Sequence, residues 1–199
     1  MDIVQDIKAL SKPCSPVSVS KGMEIGDYLV EELKKNENKW IGIAANQLGI
    51  DARVFAIALQ GNFKGTYKYL VNPTIIDTSS NTFMFREGCL SFPNKQVVTK
   101  RYESITVKAD NLSDGGSLVF YADPDKYELQ LEAACVQHEI DHLDGLTMYD
   151  RAATSTVIKG PTIGRNQKIE ITNGSDSKII KYKKAESFLS DGWSISKIL

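Results

Sequence analysis

Both histidines of this 199-residue chain lie within five residues, in Gln137-His138-Glu139-Ile140-Asp141-His142-Leu143. On an α-helix, residues four apart are turned by about 40° around the axis, so both imidazoles can reach one metal ion. Glu139 projects beside them, placed to touch a water rather than the ion. His-Glu-x-x-His on a helix is an arrangement of hydrolytic metal sites, with the glutamate as general base. A solvated surface helix could carry the same residues, so the flanks matter. Leu129, Leu131, Ala133, Ala134, Val136, Ile140 and Leu143 surround the motif, and so dense an apolar flank implies a mostly buried helix. Buried imidazoles need partners, and one ion would supply a partner for both.

A catalytic metal commonly takes three protein ligands and keeps one position for water. The chain has no third histidine, so the third ligand must be Cys, Asp or Glu. Cys89 stands in Arg86-Glu87-Gly88-Cys89-Leu90-Ser91-Phe92-Pro93, and taken alone it reads first as a small buried residue. Cys135, on the apolar helix, reads as packing, and Cys14, between Pro13 and Ser15-Pro16, as a loop residue. A third stretch, Trp40-Ile41-Gly42-Ile43-Ala44-Ala45-Asn46-Gln47, carries only Gly and small or apolar residues before its amides. It reads either as a tightly packed loop and helix start, or as a site where Gly42 lets a substrate approach and Gln47 offers an N–H donor.

These residues need elements to hold them. Ile25, Leu29 and Leu33 share one helical face around Met23 to Lys35, with charged residues elsewhere; this predicts an amphipathic helix on a core. Short apolar runs follow at Val54–Leu59, Tyr69–Val71, Ser104–Val107 and Leu118–Tyr121. Asn62, Gly65, Asn72-Pro73 and Asp114-Gly115-Gly116 punctuate them as turns between strands would. The motif helix runs from Tyr127 or Leu129 to His142, and Gly145 stops it. One helix, several strands and then a buried helix is an α+β plan.

Composition sets the class. Hydrophobic residues make up 42% and charged residues 25%, with a net charge of −1, the balance of a globular protein that gives no reason to expect a stable DNA partner. No apolar stretch approaches the ~20 residues that span a bilayer, and no secretory signal is visible at Met1 to Lys8. Three cysteines at irregular spacing argue against a disulfide scaffold and for a reducing cytoplasm, where a thiolate can ligate metal.

Taken together, the three segments resemble the peptide deformylases, which carry GxGLAAxQ, EGCLS and QHExDHL in this order. Here they stand as Trp40 to Gln47, Glu87 to Ser91 and Gln137 to Leu143. The second and third match throughout; in the first, Trp40 replaces glycine and Ile43 replaces leucine. The likeness runs from about Leu10 to Asp150 and includes Leu70-Val71-Asn72-Pro73. It implies antiparallel or mixed β-sheets around a central buried helix carrying His-Glu-Ile-Asp-His. It also implies removal of the formyl group from the N-terminal formylmethionine of nascent polypeptides, with release of formate.

By the same resemblance, Cys89, His138 and His142 bind one divalent ion, Fe(II) natively, with zinc, nickel or cobalt able to replace it. Glu139 moves the proton, and the Gln47 amide and Leu90 backbone N–H meet the developing oxyanion. Ile41, Gly42, Ile43, Gly88, Leu131, Ala134 and Cys135 match substrate-binding positions around the methionine. Glu132 and Ala134 stand where larger apolar residues are common, which implies a roomier pocket. Glu87 and Arg101 match a pair that ties the cysteine strand to its neighbour. An arginine that many relatives use near the substrate backbone has Gln96 near its place.

Past Asp150 the composition shifts. The catalytic domain is expected over 1–155, and an atypical C-terminal extension over 156–199. Lys168–Thr172 and Lys178–Tyr182 flank Asn173-Gly174-Ser175-Asp176-Ser177 as a β-hairpin, and Lys184 to Leu189 could add a short helix. From Ile158 onward eight basic residues face four acidic ones, a charge bias that suggests transient docking on the ribosome. The expected setting is the cytoplasm of a bacterium, or of the bacterial host of a phage. Two other readings remain: a metallopeptidase, which leaves Cys89 unexplained, and a catalytically silent ribosome-associated module, which leaves the intact glutamate and ligands unexplained.

Overall fold

Alternation along the strands of the first sheet decides what lies on each side of it. In the computed structural model, which describes residues 3–37, 39–113, 116–153, 158–159, 167–173, 176–185, 188 and 193–198, β1 (Gly42–Ala44), β2 (Val54–Ala58) and β3 (Tyr67–Val71) pair antiparallel in that order. Ile43, Val54, Ala56 and Val71 point to one face and pack with Ile25, Leu29 and Leu33 of helix α2 (Val19–Lys35). Ala44, Phe55, Ile57 and Leu70 point to the other and pack with Val136, Ile140 and Leu143 of helix α3 (Tyr127–Leu143). The period of two therefore sorts this sheet between two helices. Helix α2 starts four residues earlier than the periodicity of its charged half suggests, because Ser18 caps it by accepting from Lys21 N–H. A short helix, α1 (Ile7–Leu10), precedes it.

Two further sheets close around α3. Strands β4 (Thr74–Thr78), β7 (Ser104–Lys108) and β8 (Ser117–Tyr121) pair antiparallel, and Ile105, Val107 and Phe120 join the core of α3. Strands β5 (Thr82–Cys89) and β6 (Phe92–Tyr102) form a long hairpin whose inward positions are Phe85, Glu87, Val97, Thr99 and Arg101. The apolar runs did not mark this hairpin, because three of these five inward positions are polar, nor β4, which is mostly exposed. Helix α3 is thus buried nearly all round over its last three turns. Its Gln137 acts as an extra strand rung: Oε1 accepts from Tyr102 N–H and Nε2 donates to Tyr102 C=O, both at 3.0 Å.

The end of α3 is fully engaged. Asn46 Nδ2 donates to His142 C=O at 2.8 Å, and Cys14 N–H and Arg53 donate to Leu143 C=O. Gly145 follows with φ +74°, and a Cβ there would meet Pro13 N, Lys12 C and Ser11 O at 2.8–2.9 Å. Both the left-handed turn and the close crossing of the chain require glycine at this stop.

The chain divides into two compact units, 1–158 and 159–199. The boundary expected at 155/156 lies outside the described residues, as do Gly174, Ser175 and half of the stretch expected as a short helix (186, 187 and 189). A two-residue strand, β9 (Ile158–Lys159), stands at the junction. In the second unit β10 (Lys168–Thr172) pairs antiparallel with β11 (Ser177–Lys181) and with β12 (Ser194–Ile198). Strand β12 carries no alternating apolar run in the sequence, and its pairing with β10 shifts register between Glu170 and Ile171. Ile169, Ile171 and Ala185 form a small core with Phe188 and Trp193 against it. No helix among the described residues is long and apolar enough to cross a membrane.

Candidate metal centre and cavity

Three segments far apart in sequence converge on α3. Cys89 ends β5, and His138 and His142 stand one turn apart on α3, their rings 4.8 Å apart and nearly perpendicular. One ligand atom from each of the three lies within 4.8 Å of the others, with Cys89 Sγ and His142 Nε2 at 3.2 Å. Sulfur plus two imidazoles is a donor set for a divalent transition ion, and this cluster could hold one.

The surroundings fit that role. His138 Nδ1 lies 3.0 Å from Glu87 Oε2, so donation to the carboxylate fixes the ring and leaves Nε2 for an ion. Glu87 also accepts from Thr99 Oγ1 at 2.6 Å and from Arg101 through Nε and, at 2.8 Å, Nη2. Arg101 continues to Asp141, and Asp141 to Arg151 at 2.8 Å. Glu87 and Arg101 are buried, which excludes a surface role for the pair. Burial pulls the Glu87 carboxyl up, but the hydrogen bonds and charges of Arg101 and His138 outweigh it and hold the group down at about 2. Burial also lowers His138, yet its contacts with Cys89 and Glu87 hold it above its ordinary value; His142 is held below, by burial and by the charge of His138.

Glu139, the residue after His138 on α3, sits in a different environment. It is buried, its Oε2 has no partner among the described residues, and its Oε1 is 3.9 Å from Cys135 Sγ. Burial pushes its carboxyl up to about 7, eased by His138 and reinforced by Glu87. A Cβ on Gly42 would meet Glu139 Oε1 at 2.5 Å and Cys135 Sγ at 2.6 Å. Only glycine lets β1 pass this close to the carboxylate. Gln47 follows on a 3₁₀ turn, Ala45–Leu48. Its Oε1 accepts from Ala44 N–H at 2.9 Å, which turns Nε2 toward Ser91 Oγ at 3.3 Å and Cys89 Sγ at 3.5 Å.

A cavity of about 400 Å³ opens over these groups, a size in the range of small-molecule sites. Of the residues expected around a substrate, Ile41, Gly42, Gly88, Leu131, Ala134 and Cys135 line it, as do Gln47, Cys89, Leu90, His138 and Glu139. Ile43 does not. Strand alternation sends its side chain to the opposite face of β1, fully buried against α2, so that expectation is corrected. Glu132 is not a pocket residue either: its Oε2 accepts from Gln60 N–H and Gly61 N–H at 2.8 and 3.0 Å. Trp40 and Gln96 do reach the cavity. Sequence reasoning missed Phe85 and Tyr127, stacked at 5.9 Å, and the exposed Lys39 and Arg86. Recognising β5 would have found Phe85, since it precedes Glu87 by one alternation.

The polypeptide deformylase family matches this chain over residues 2–157. The chain belongs to that family. A peptide deformylase of Natranaerobius thermophilus is 39% identical over 160 residues, covering 75% of this chain and 92% of the relative. One from Bartonella tribocorum is 34% identical over 147 residues, covering 72% and 77%. The crystal structure of peptide deformylase from Thermotoga maritima superposes with a TM-score of 0.63 at 28% identity, covering 77% of this chain and 97% of that one. The deformylase fold, with its helix and antiparallel sheets, is therefore shared, and the matched region contains all three motifs.

Proposed function

We propose that this deformylase-family chain removes the formyl group from the N-terminal formylmethionine of nascent polypeptides, using water and releasing formate. The observation that carries this reading is a Cys/His/His cluster, of which Cys89 and His138 line one cavity together with a buried carboxylate that has an oxygen unpartnered among the described residues.

Cys89, His138 and His142 would hold one divalent ion. When bound, such an ion polarises the formyl group and makes water acidic enough to react near neutral pH; Fe(II) is our assignment, with zinc, nickel or cobalt as substitutes. Glu139 Oε2 takes the proton of the attacking water and returns it to the departing amine. Gln47 Nε2, pre-set by the Ala44 N–H on its other end, donates to the formyl oxygen as charge develops there, and the Leu90 backbone N–H does the same. The methionine side chain lies against Ile41, Gly42, Gly88, Leu131, Ala134 and Cys135, a mostly apolar wall suited to a thioether. Ile43 supports that wall from behind. We assign catalysis to residues 1–155. The basic extension is assigned transient docking on the ribosome, in the cytoplasm of a bacterium or of a phage's bacterial host.

Anaerobically prepared Fe(II) or Ni(II) protein given a formyl-Met peptide is expected to release one formate per peptide, and chelation to stop it. Metal-loaded protein that leaves the formyl group in place would overturn the reading.

A further inference from the structure

The reacting groups lie at the buried end of the cavity, and its exposed rim carries charge of one sign. Lys39, just before β1, and Arg86, on the outward face of β5, both line the cavity and both are exposed. Neither side chain has an ion-pair partner among the described residues. The lining contains two acids, Glu87 and Glu139, and both are buried, at 5% and 3% exposure. Glu87 is occupied by Thr99, Arg101 and His138, and Glu139 faces the reacting end. The other polar residue at the rim, Gln96, is uncharged. A chain leaving this cavity therefore meets two unpaired cations and no exposed carboxylate from the lining.

We propose that Lys39 and Arg86 select formyl peptides that carry an acidic side chain at the second or third residue. This rests on the deformylase reading. The formyl group and the methionine occupy the buried part, so only the residues that follow can reach the rim. Each extended residue advances roughly 3.3–3.6 Å, which brings the second and third side chains to the mouth. Two cations there raise the local concentration of acidic peptides and repel basic ones.

The test uses metal-loaded enzyme and three C-terminally amidated peptides: formyl-Met-Glu-Glu, formyl-Met-Lys-Lys and neutral formyl-Met-Ala-Ser. At low salt the acidic peptide is expected to show the lowest KM and the basic one the highest, by roughly two- to fivefold per cation. The difference should sit in KM rather than kcat, since a rim charge contacts ground state and transition state alike. It should shrink at about 0.5 M salt, weaken in Lys39→Gln and Arg86→Gln, and invert when both become glutamate. A purely structural role would instead shift all three peptides together. Equal KM values for the acidic and basic peptides at low salt would overturn the proposal, as would a preference that survives the double glutamine variant. Turnover of the neutral peptide separates the two levels: if it is cleaved and the ratio is one, only the rim assignment falls. If the neutral peptide is not cleaved, the deformylase reading falls and the rim assignment with it.

Discussion

The two sides of α3 hold two buried glutamates that differ in almost everything but burial. On the β5–β6 side, Glu87 receives Thr99, Arg101 and His138, and its carboxyl is held down at about 2. On the β1 side, Glu139 Oε2 has no partner among the described residues, and burial pushes that carboxyl up to about 7. Each departure from the ordinary 4.5 corresponds to roughly 3 kcal/mol, with opposite signs. A carboxylate surrounded by fixed donors cannot take up a proton; one in a dry pocket near neutrality can take it and give it back. Two carboxylates pushed apart by their surroundings mark structural and acid–base roles. The fold builds the first to aim His138 and leaves the second open to the cavity.

Removing the open carboxylate should have the largest effect. Glu139→Gln is expected to lower formate release by about 10²–10⁴-fold while keeping its metal, measured by elemental analysis beside the activity assay. Removing the occupied one should act on the fold instead. Glu87→Gln leaves Arg101 partly unpaired in the interior and is expected to cost about 3–5 kcal/mol, read from denaturant unfolding of the metal-free protein. Gln47→Ala tests a donor beside the same site. It should lose about 10²–10³-fold in kcat with the fold and metal intact.

Acidity sharpens the contrast further. A depressed carboxyl stabilises the folded state above the unfolded value of about 4.5, and in the metal-free protein that contribution is lost as pH falls toward about 2. A raised carboxyl does the reverse: stability declines as pH climbs from about 4.5 toward about 7. The unfolding midpoint against pH should therefore lose its acid limb in Glu87→Gln and its neutral limb in Glu139→Gln. The smallest expected effect lies in the second unit. Lys178 sits over the rings of Trp193 and Phe188, at 4.9 and 5.4 Å, and Lys178→Ala should cost only about 0.5–1 kcal/mol. That loss is read as a lower melting temperature, with formate release unchanged.

The chemistry was easier to read from the sequence than the scaffold that aims it. Glu139 and the two histidines announce themselves through helical spacing, and the motif around Cys89 supplies the third donor. The α3 boundaries followed from apolar density and Gly145. Strands β5 and β6 did not, because their inward face carries Glu87, Thr99 and Arg101, which break the apolar alternation that marks strands. Those same residues form the network that positions His138, so the functional surroundings hid the element that bears them. Ile43 shows the opposite failure: it follows Ile41 and Gly42, which line the cavity, yet its side chain leaves β1 on the α2 face while that of Ala44 faces α3. Asp141 carries the buried network out to the exposed Arg151, and nothing in their local spacing announces the contact of Asp141 with Arg101 across the fold.

Glu139 Oε2, without a partner among the described residues, is proposed to exchange its proton with the reacting group. Formate release by Glu139→Gln protein carrying one metal ion per chain tests it most directly. The expected result is a folded, metal-loaded protein with turnover at least about 10²-fold below that of the parent. Turnover at the parental rate, with metal content equal, would contradict it.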